Sequence, residues 1–467
     1  MGRWRVLVGW LLIAGCSDSE GEDTGVELLI APADGAHTIG LRVWNTSETL
    51  VVDSWVGAVA GAAERTVELP WRVGLQPSED QLGRRFRAEV DLFDANGCPF
   101  SRASTEGGFR EGVIDERRLD FAPLDTAACE VAYVNPSHPA ANDSPSGCRS
   151  RETPCATLSF ALANYTGDPD VASVLYLEGG ELYRGADNRS TATVISPEMG
   201  GRPGAPTVVR PRPGTGMPVL DAEQSADAVV STFASHVVVD GFEIRSGIRH
   251  GYVVNGADAQ DNVLRNSWIH SNGAPIPDAN GDAPGEAPRV DAGIAFFNGS
   301  ARGRIEFNRI SDNGMAEVRG HGIRIFGANG AQEIIGNTLR GNTAIGIGVR
   351  EAEVGFAGTV VVQRNVVCDS GQGGVSVDRA GARVERNTVV RSGAHGLRVG
   401  AGVQADANLL AFNEGEEVTG IDGVGSNLAF DGDIDPGLTD VDGCVLTLLP
   451  GSPAIGAAAD GTNVGAF

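Results

Sequence analysis

The sequence predicts an all-β chain: a parallel β-solenoid preceded by a small antiparallel β-sandwich. Three observations carry that expectation. The later two-thirds repeats with a shortest period of 21–22 residues, seen from Asn365 to Asn387 to Asn408, which leaves no room for a helix in each repeat. Glycine makes up 65 of 467 residues, as a chain dense in tight turns requires. Ahead of the repeats lie short alternating runs separated by Gly, Asn, Asp and Pro, the pattern of short sandwich strands.

Composition narrows the chemistry. Acidic side chains number 61 against 36 basic ones, giving a formal net charge of −25. All 36 basic residues are arginine, which removes Schiff-base and phosphate-loop lysines. Such an acidic surface repels polyanions and argues against a nucleic-acid partner.

Residues 1–15 read as a secretion signal, with Arg3 and Arg5 ahead of a short apolar core, Val6 to Ile13. The core is too short to span a bilayer, which takes ~20 apolar residues. It ends in Ile13-Ala14-Gly15-Cys16, which resembles the bacterial lipobox; the resemblance implies lipidation at Cys16 and a membrane anchor. Residues 16–25 read as an acidic tether. Ser17 rather than Asp follows the cysteine, which by the same resemblance implies the outer membrane, on its periplasmic or extracellular face. Six cysteines remain, an even number suited to an exported protein. Of the 15 connectivities they allow, local spacing favours Cys98–Cys129, Cys148–Cys155 and Cys368–Cys444.

Residues 26–130 form the expected sandwich, with strand runs at Val26–Ala31, Leu41–Trp44, Thr66–Leu69, Arg87–Leu92 and Arg118–Phe121. Asp94-Ala95-Asn96-Gly97 signals a hairpin. No reactive constellation falls here, so the region reads as a spacer or adhesion module. Residues 131–467 form the solenoid, with an N-terminal cap at 131–173 and a C-terminal cap at 430–467. Within the first cap Thr153 and Pro154 can open a helix whose Leu158, Leu162 and Tyr165 share a face.

Two registers define the repeat. One holds Asn266, Asn308, Asn337, Asn365, Asn387 and Asn408, with Gly241 as an earlier equivalent. The other holds glycine followed by an in–out–in triplet: Gly251, Gly293, Gly322, Gly346, Gly374 and Gly396. Coils stacked ~4.8 Å apart then bury a continuous apolar core, inward asparagines form amide ladders, and glycine serves corners with positive φ. This pattern resembles the right-handed parallel β-helix family of the pectate-lyase-like kind. Tyr133-Val134-Asn135-Pro136 with Thr153-Pro154-Cys155-Ala156-Thr157-Leu158 is similar to the opening cap of its bacterial surface members. The stretch from Leu449 to Phe467 is similar to their closing cap. The resemblance covers roughly 131–467 and implies a polysaccharide ligand; the superfamily holds lyases, hydrolases, epimerases and noncatalytic members.

Function in solenoids sits where the period is interrupted. The largest interruption, between Asn266 and Gly293, contains Asp278, Asn280 and Asp282, oxygen ligands at alternate positions that can wrap calcium, followed by Glu286, Arg289 and Asp291. A smaller one holds Glu317 and Arg319. Register arithmetic makes His270 and Asp312 neighbours on adjacent coils and sets Asp291 one coil below His321. With Arg319 these are the candidate catalytic residues, because a hydrolase needs paired carboxylates and a lyase needs a cation and a base. Gly320-His321-Gly322 resembles the Gly-His-Gly of polygalacturonases, whose remaining motifs are absent. His-Gly also recurs at His250-Gly251 and His395-Gly396, which favours a structural turn. The acidity of the loop argues against acidic glycans unless calcium bridges them. The leading expectation is a monomeric, lipid-anchored surface protein that binds polysaccharide. The alternatives are a polysaccharide lyase or glycoside hydrolase acting at a groove over 266–325, and a noncatalytic structural or adhesion solenoid.

Overall fold

The structure is a computed structural model. It describes residues 5–8, 25–30, 36–45, 50–57, 71–76, 85–109, 113–126, 128–144, 147–168, 170–185, 189–283, 291–315, 319–350, 358–420, 425–430 and 435–467. Cys16 and the tether up to 24, the run Thr66–Leu69, and Glu286, Arg289 and Glu317 lie outside them. The chain divides into two units, Met1–Val131 with Arg212–Gly216, and Ala132–Pro211 with Met217–Phe467.

The first unit holds two sheets. One has five strands in the order 50–57, 38–45, 85–93, 99–108, 122–123, all antiparallel neighbours. The other has four, in the order 5–8, 71–76, 25–30, 114–118, and its last pair is parallel. Alternation sets the core: Ile39, Leu41 and Val43 face it with Phe86, Ala88, Val90 and Leu92, against Leu28, Ile30, Val73 and Leu75. The expected hairpin is present, with the Asp94 carboxylate accepting from the Asn96 and Cys98 amides. Cys98 is bonded to Cys129.

The second unit is a right-handed parallel β-helix built from three parallel sheets. Each coil contributes one short strand to each. Coil 360–378, for example, supplies Val360–Gln363 to the first face, Val366–Cys368 to the second and Gly373–Asp378 to the third. The inward column Tyr252, Ile294, Ile323, Ile347, Val375, Leu397 runs the length of the third face. Nearly all of these side chains are inaccessible, and they merge with the columns of the other two faces into one core.

Asparagines close the corner between first and second faces. Asn308, Asn337, Asn365, Asn387 and Asn408 each pass their side-chain amide to the next, ending on Asn427. The structure corrects the register at the start. Strand pairing sets Ser267, not Asn266, beneath Asn308, and Ser267 both receives and extends the ladder. Gly241 shifts likewise, to Phe242. Asn266 instead donates to the buried Asp240 carboxylate. A second ladder, Asn272, Asn313, Asn342, stands five residues later at the next corner.

The register glycines serve a different purpose from the one expected. None of the six has a positive φ. They point inward, where a Cβ on Gly346 would sit 2.8 Å from the Gly374 carbonyl oxygen and 2.4 Å from Val367. Space, not backbone conformation, demands glycine there.

The helix is Leu158–Tyr165, capped by Thr157 rather than Thr153, with Leu158, Leu162 and Tyr165 buried as predicted. Cys148–Cys155 closes the cap ahead of it. The C-terminal segment, expected to close the end of the solenoid, lies along its second face. Leu438, Leu446, Ala454 and Val464 pack on the outward Val390, Leu409 and Ala411. Cys444 is bonded to Cys368, Arg386 pairs with Asp460 and Arg391 with Asp442.

Candidate functional site

The sequence candidates divide between two faces. His270 pairs in register with Ser311, not Asp312, because the ladder begins at Ser267. Asp312 is the left-handed corner residue beyond it, at φ 55°. His270 stacks on Trp268 at 4.0 Å and bonds Glu243 at 3.2 Å. Arg309 lies over the same Trp268 ring, so the cluster is packed upon itself.

Asp291 pairs with Gly320, and it is Ala292 that lies beside His321. Asp291 is fully buried, with Arg249 Nε 3.6 Å away. The same arginine reaches Asp278 at 3.2 Å. Asp278 is also fully buried, and its Oδ1 accepts from the Asn280 and Asp282 amides. Its carboxylate therefore closes its own loop instead of presenting a ligand. Among the described residues no group of three His, Cys, Asp or Glu is placed to hold a metal. Arg319 is exposed just before the strand Gly320–Phe326.

Charge distribution singles out one surface. On the first face Arg265 pairs with Asp240, and Arg304 with Glu306 and Glu333. On the second face Arg245 pairs with Asp221 and Glu243, and the later coils are covered by the C-terminal segment. On the third face the outward column runs Val253, Ala295, Arg324, Gly348, Ser376, Arg398, Thr419. Arg350 lies on the neighbouring outward column beside Asp378. Arg324, Arg350 and Arg398 make no ion pair among the described residues. The loop's acidity had argued against acidic ligands, yet the strands of this face set Arg324, Arg350 and Arg398 against Asp378 and the fully buried Asp291.

The floor between the arginines is low, because Gly348 and Ser376 supply little or no side chain. At its far end Arg350, Ser376, Asp378, Arg398, Gly400 and Thr419 enclose a cavity of 230 Å³. Arg324 lies over Phe326 at 4.9 Å and Phe297 at 5.6 Å. Burial, then the nearby Arg350 and Arg249 charges, lower its guanidinium to about 10. His321 shares this surface; burial and the Arg324 and Arg350 charges lower it to about 4, leaving its ring neutral at pH 7. Its Nδ1 has no hydrogen-bond partner among the described residues. Sequence reasoning found His321 but missed Arg324, Arg350 and Arg398. The signal was available in the middle residue of each Gly-led triplet, which reads Arg at 324 and 398.

No protein-family model and no curated protein matches the sequence. Among solved structures the chain is similar to a pectate lyase at 14% identity, with a TM-score of 0.52 over 73% of this chain and 96% of that one. An alginate lyase from Paenibacillus sp. follows at 15% identity and a TM-score of 0.34, over 57% of this chain and 94% of that one. An α-1,3-glucanase from Streptomyces thermodiastaticus gives 15% and 0.29, over 88% and 87%. The first of these establishes the β-helix fold.

Proposed function

We propose that this is a lipid-anchored surface protein whose solenoid binds an anionic polysaccharide along its third face. One observation carries the reading: three arginines that form no ion pair among the described residues line one face of a chain whose net charge is −25. A guanidinium donates paired N–H groups to carboxylate or sulfate, and a flat outer sheet face admits a chain lying along the solenoid axis. The fold shared with a pectate lyase supports a polysaccharide as that ligand.

Retention of the mature chain on immobilised glycans tests this at about 0.1 M salt. Polyuronate and sulfated galactan retain it and neutral glucan and xylan do not, while Arg398→Gln weakens retention by at least about tenfold. Equal retention on neutral and anionic glycans defeats the proposal. The anchor is tested separately by mass spectrometry of the membrane fraction: Cys16 carries diacylglycerol, and an unmodified N-terminus there refutes it.

Cleavage is the second reading, favoured by the neutral His321 beside Arg324 and Arg350. The arginines would hold a uronate carboxylate and the imidazole would take the proton beside it. The same glycans, followed by ultraviolet absorbance of unsaturated uronate, give product that His321→Ala abolishes. Absence of product leaves binding alone.

A further inference from the structure

The third face carries one motif twice. His321-Gly322-Ile323-Arg324 and His395-Gly396-Leu397-Arg398 occupy the same register, since Ile323, Ile347, Val375 and Leu397 pair in succession. Three coil steps separate them, about 14 Å at ~4.8 Å per step. The backbone geometry at the glycine of each copy is alike. A Cβ on Gly322 would sit 2.7 Å from the Gly346 carbonyl oxygen, and one on Gly396 2.9 Å from that of Glu417. The glycine thus turns inward at both places and leaves histidine and arginine on the outer surface to either side. In each copy one ring nitrogen, Nδ1 of His321 and Nε2 of His395, is buried without a hydrogen-bond partner among the described residues. Burial is the main cause that lowers both histidines from their ordinary range, so each copy presents one cation and one neutral imidazole at pH 7.

The two intervening coils break the motif. Ile345 and Gly373 stand in the histidine column, and Gly348 and Ser376 in the arginine column. Between the two copies, therefore, the face offers a smooth, low floor. Arg350, on the first intervening coil, is displaced to the neighbouring column, where Asp378 stands beside it.

We propose that the two copies are equivalent anion subsites, and that the face selects a linear glycan whose first and fourth sugars carry acidic groups. The inference rests on the anionic-polysaccharide reading and adds its spacing. An extended pyranose chain advances by about one coil step per sugar, so a chain lying along the axis meets the second subsite three sugars after the first.

A ladder of oligouronates from two to six residues, titrated against the mature chain by calorimetry, tests the spacing. Dimer and trimer reach one subsite at a time. The tetramer reaches both and binds about a hundredfold tighter than the trimer, the gain expected when a second contact becomes intramolecular. Arg324→Gln and Arg398→Gln each reduce the tetramer to the level of the trimer. Each leaves trimer affinity within about twofold, because the other subsite persists. That symmetric result is one a purely structural arginine does not give. Affinity that climbs smoothly with length, or one variant erasing trimer binding while the other changes nothing, overturns the two-subsite assignment and leaves anionic binding standing. Failure of every oligomer to bind overturns the functional reading instead.

Discussion

The corner between the first and second faces is made by a residue in the left-handed region followed by one that bonds across coils. Phe307, Arg364, Arg386 and Ala407, with φ of 53° to 56°, precede Asn308, Asn365, Asn387 and Asn408. For an L-residue that conformation costs about 1–2 kcal/mol, so the ladders must offset it. Asn365 shows how. Its Oδ1 accepts from the Asn337 amide and side chain at 2.9 Å, and its Nδ2 donates to the Ile334 carbonyl at 2.8 Å. Asn365→Ala leaves these buried groups unmatched, and at ~1–3 kcal/mol for each orphan the loss reaches about 3–5 kcal/mol. Asn427, half-buried at the ladder's end, takes the same substitution at smaller cost. Urea denaturation of the two variants measures the difference, and equal losses contradict this account. The asparagine ladder was legible because a buried amide recurring at a fixed period has few other uses. Its first rung was misread because Asn266 and Ser267 are adjacent and the hydroxyl does the work. The second ladder escaped because Ser370 and Ser392 replace asparagine along it.

At the scale of elements, what could be read depended on whether a residue's surroundings repeat. The third-face strands repeat, so their pairing follows from the glycine register, and Gly293, Gly322 and Gly346 are in line as expected. The purpose of those glycines was misassigned because sequence shows glycine but not the carbonyl oxygen opposite it. The C-terminal segment has no period. Its Leu438, Leu446 and Val464 have the apolarity of a cap whichever surface they cover. Only the outward apolar residues of the second face, Val390, Leu409 and Ala411, could have said which. In the short strand Val366–Cys368 both outward positions are apolar as well as the inward one, and in Thr388–Val390 the outward Val390 is too. A strand apolar on both sides must be covered on both, and the segment tied down by Cys368–Cys444 is the cover. The same covering decides function, since it withdraws the later coils of the second face from solvent and leaves the third open along the arginines.

Over the whole molecule two fields of opposite sign act on an anionic ligand, and their ranges differ. The net charge of −25 is spread over the chain and repels at a distance. Arg324, Arg350 and Arg398 attract only at contact. Composition revealed the first and concealed the second, because a sum of charges says nothing of where the unpaired ones stand. Salt separates the two. The Debye length falls from ~30 Å at 0.01 M to ~10 Å at 0.1 M, which screens the distant repulsion first. The association rate of an anionic glycan therefore rises over that interval, the reverse of what a uniformly basic surface gives. The dissociation rate rises too, as counter-ions compete for the arginines, so the affinity changes less than either rate. Surface plasmon resonance with immobilised polyuronate reads both rates directly. An association rate that falls steadily from 0.01 M upward means that the arginine face dominates the field at long range, and the repulsive term assigned to the remainder of the chain is then wrong.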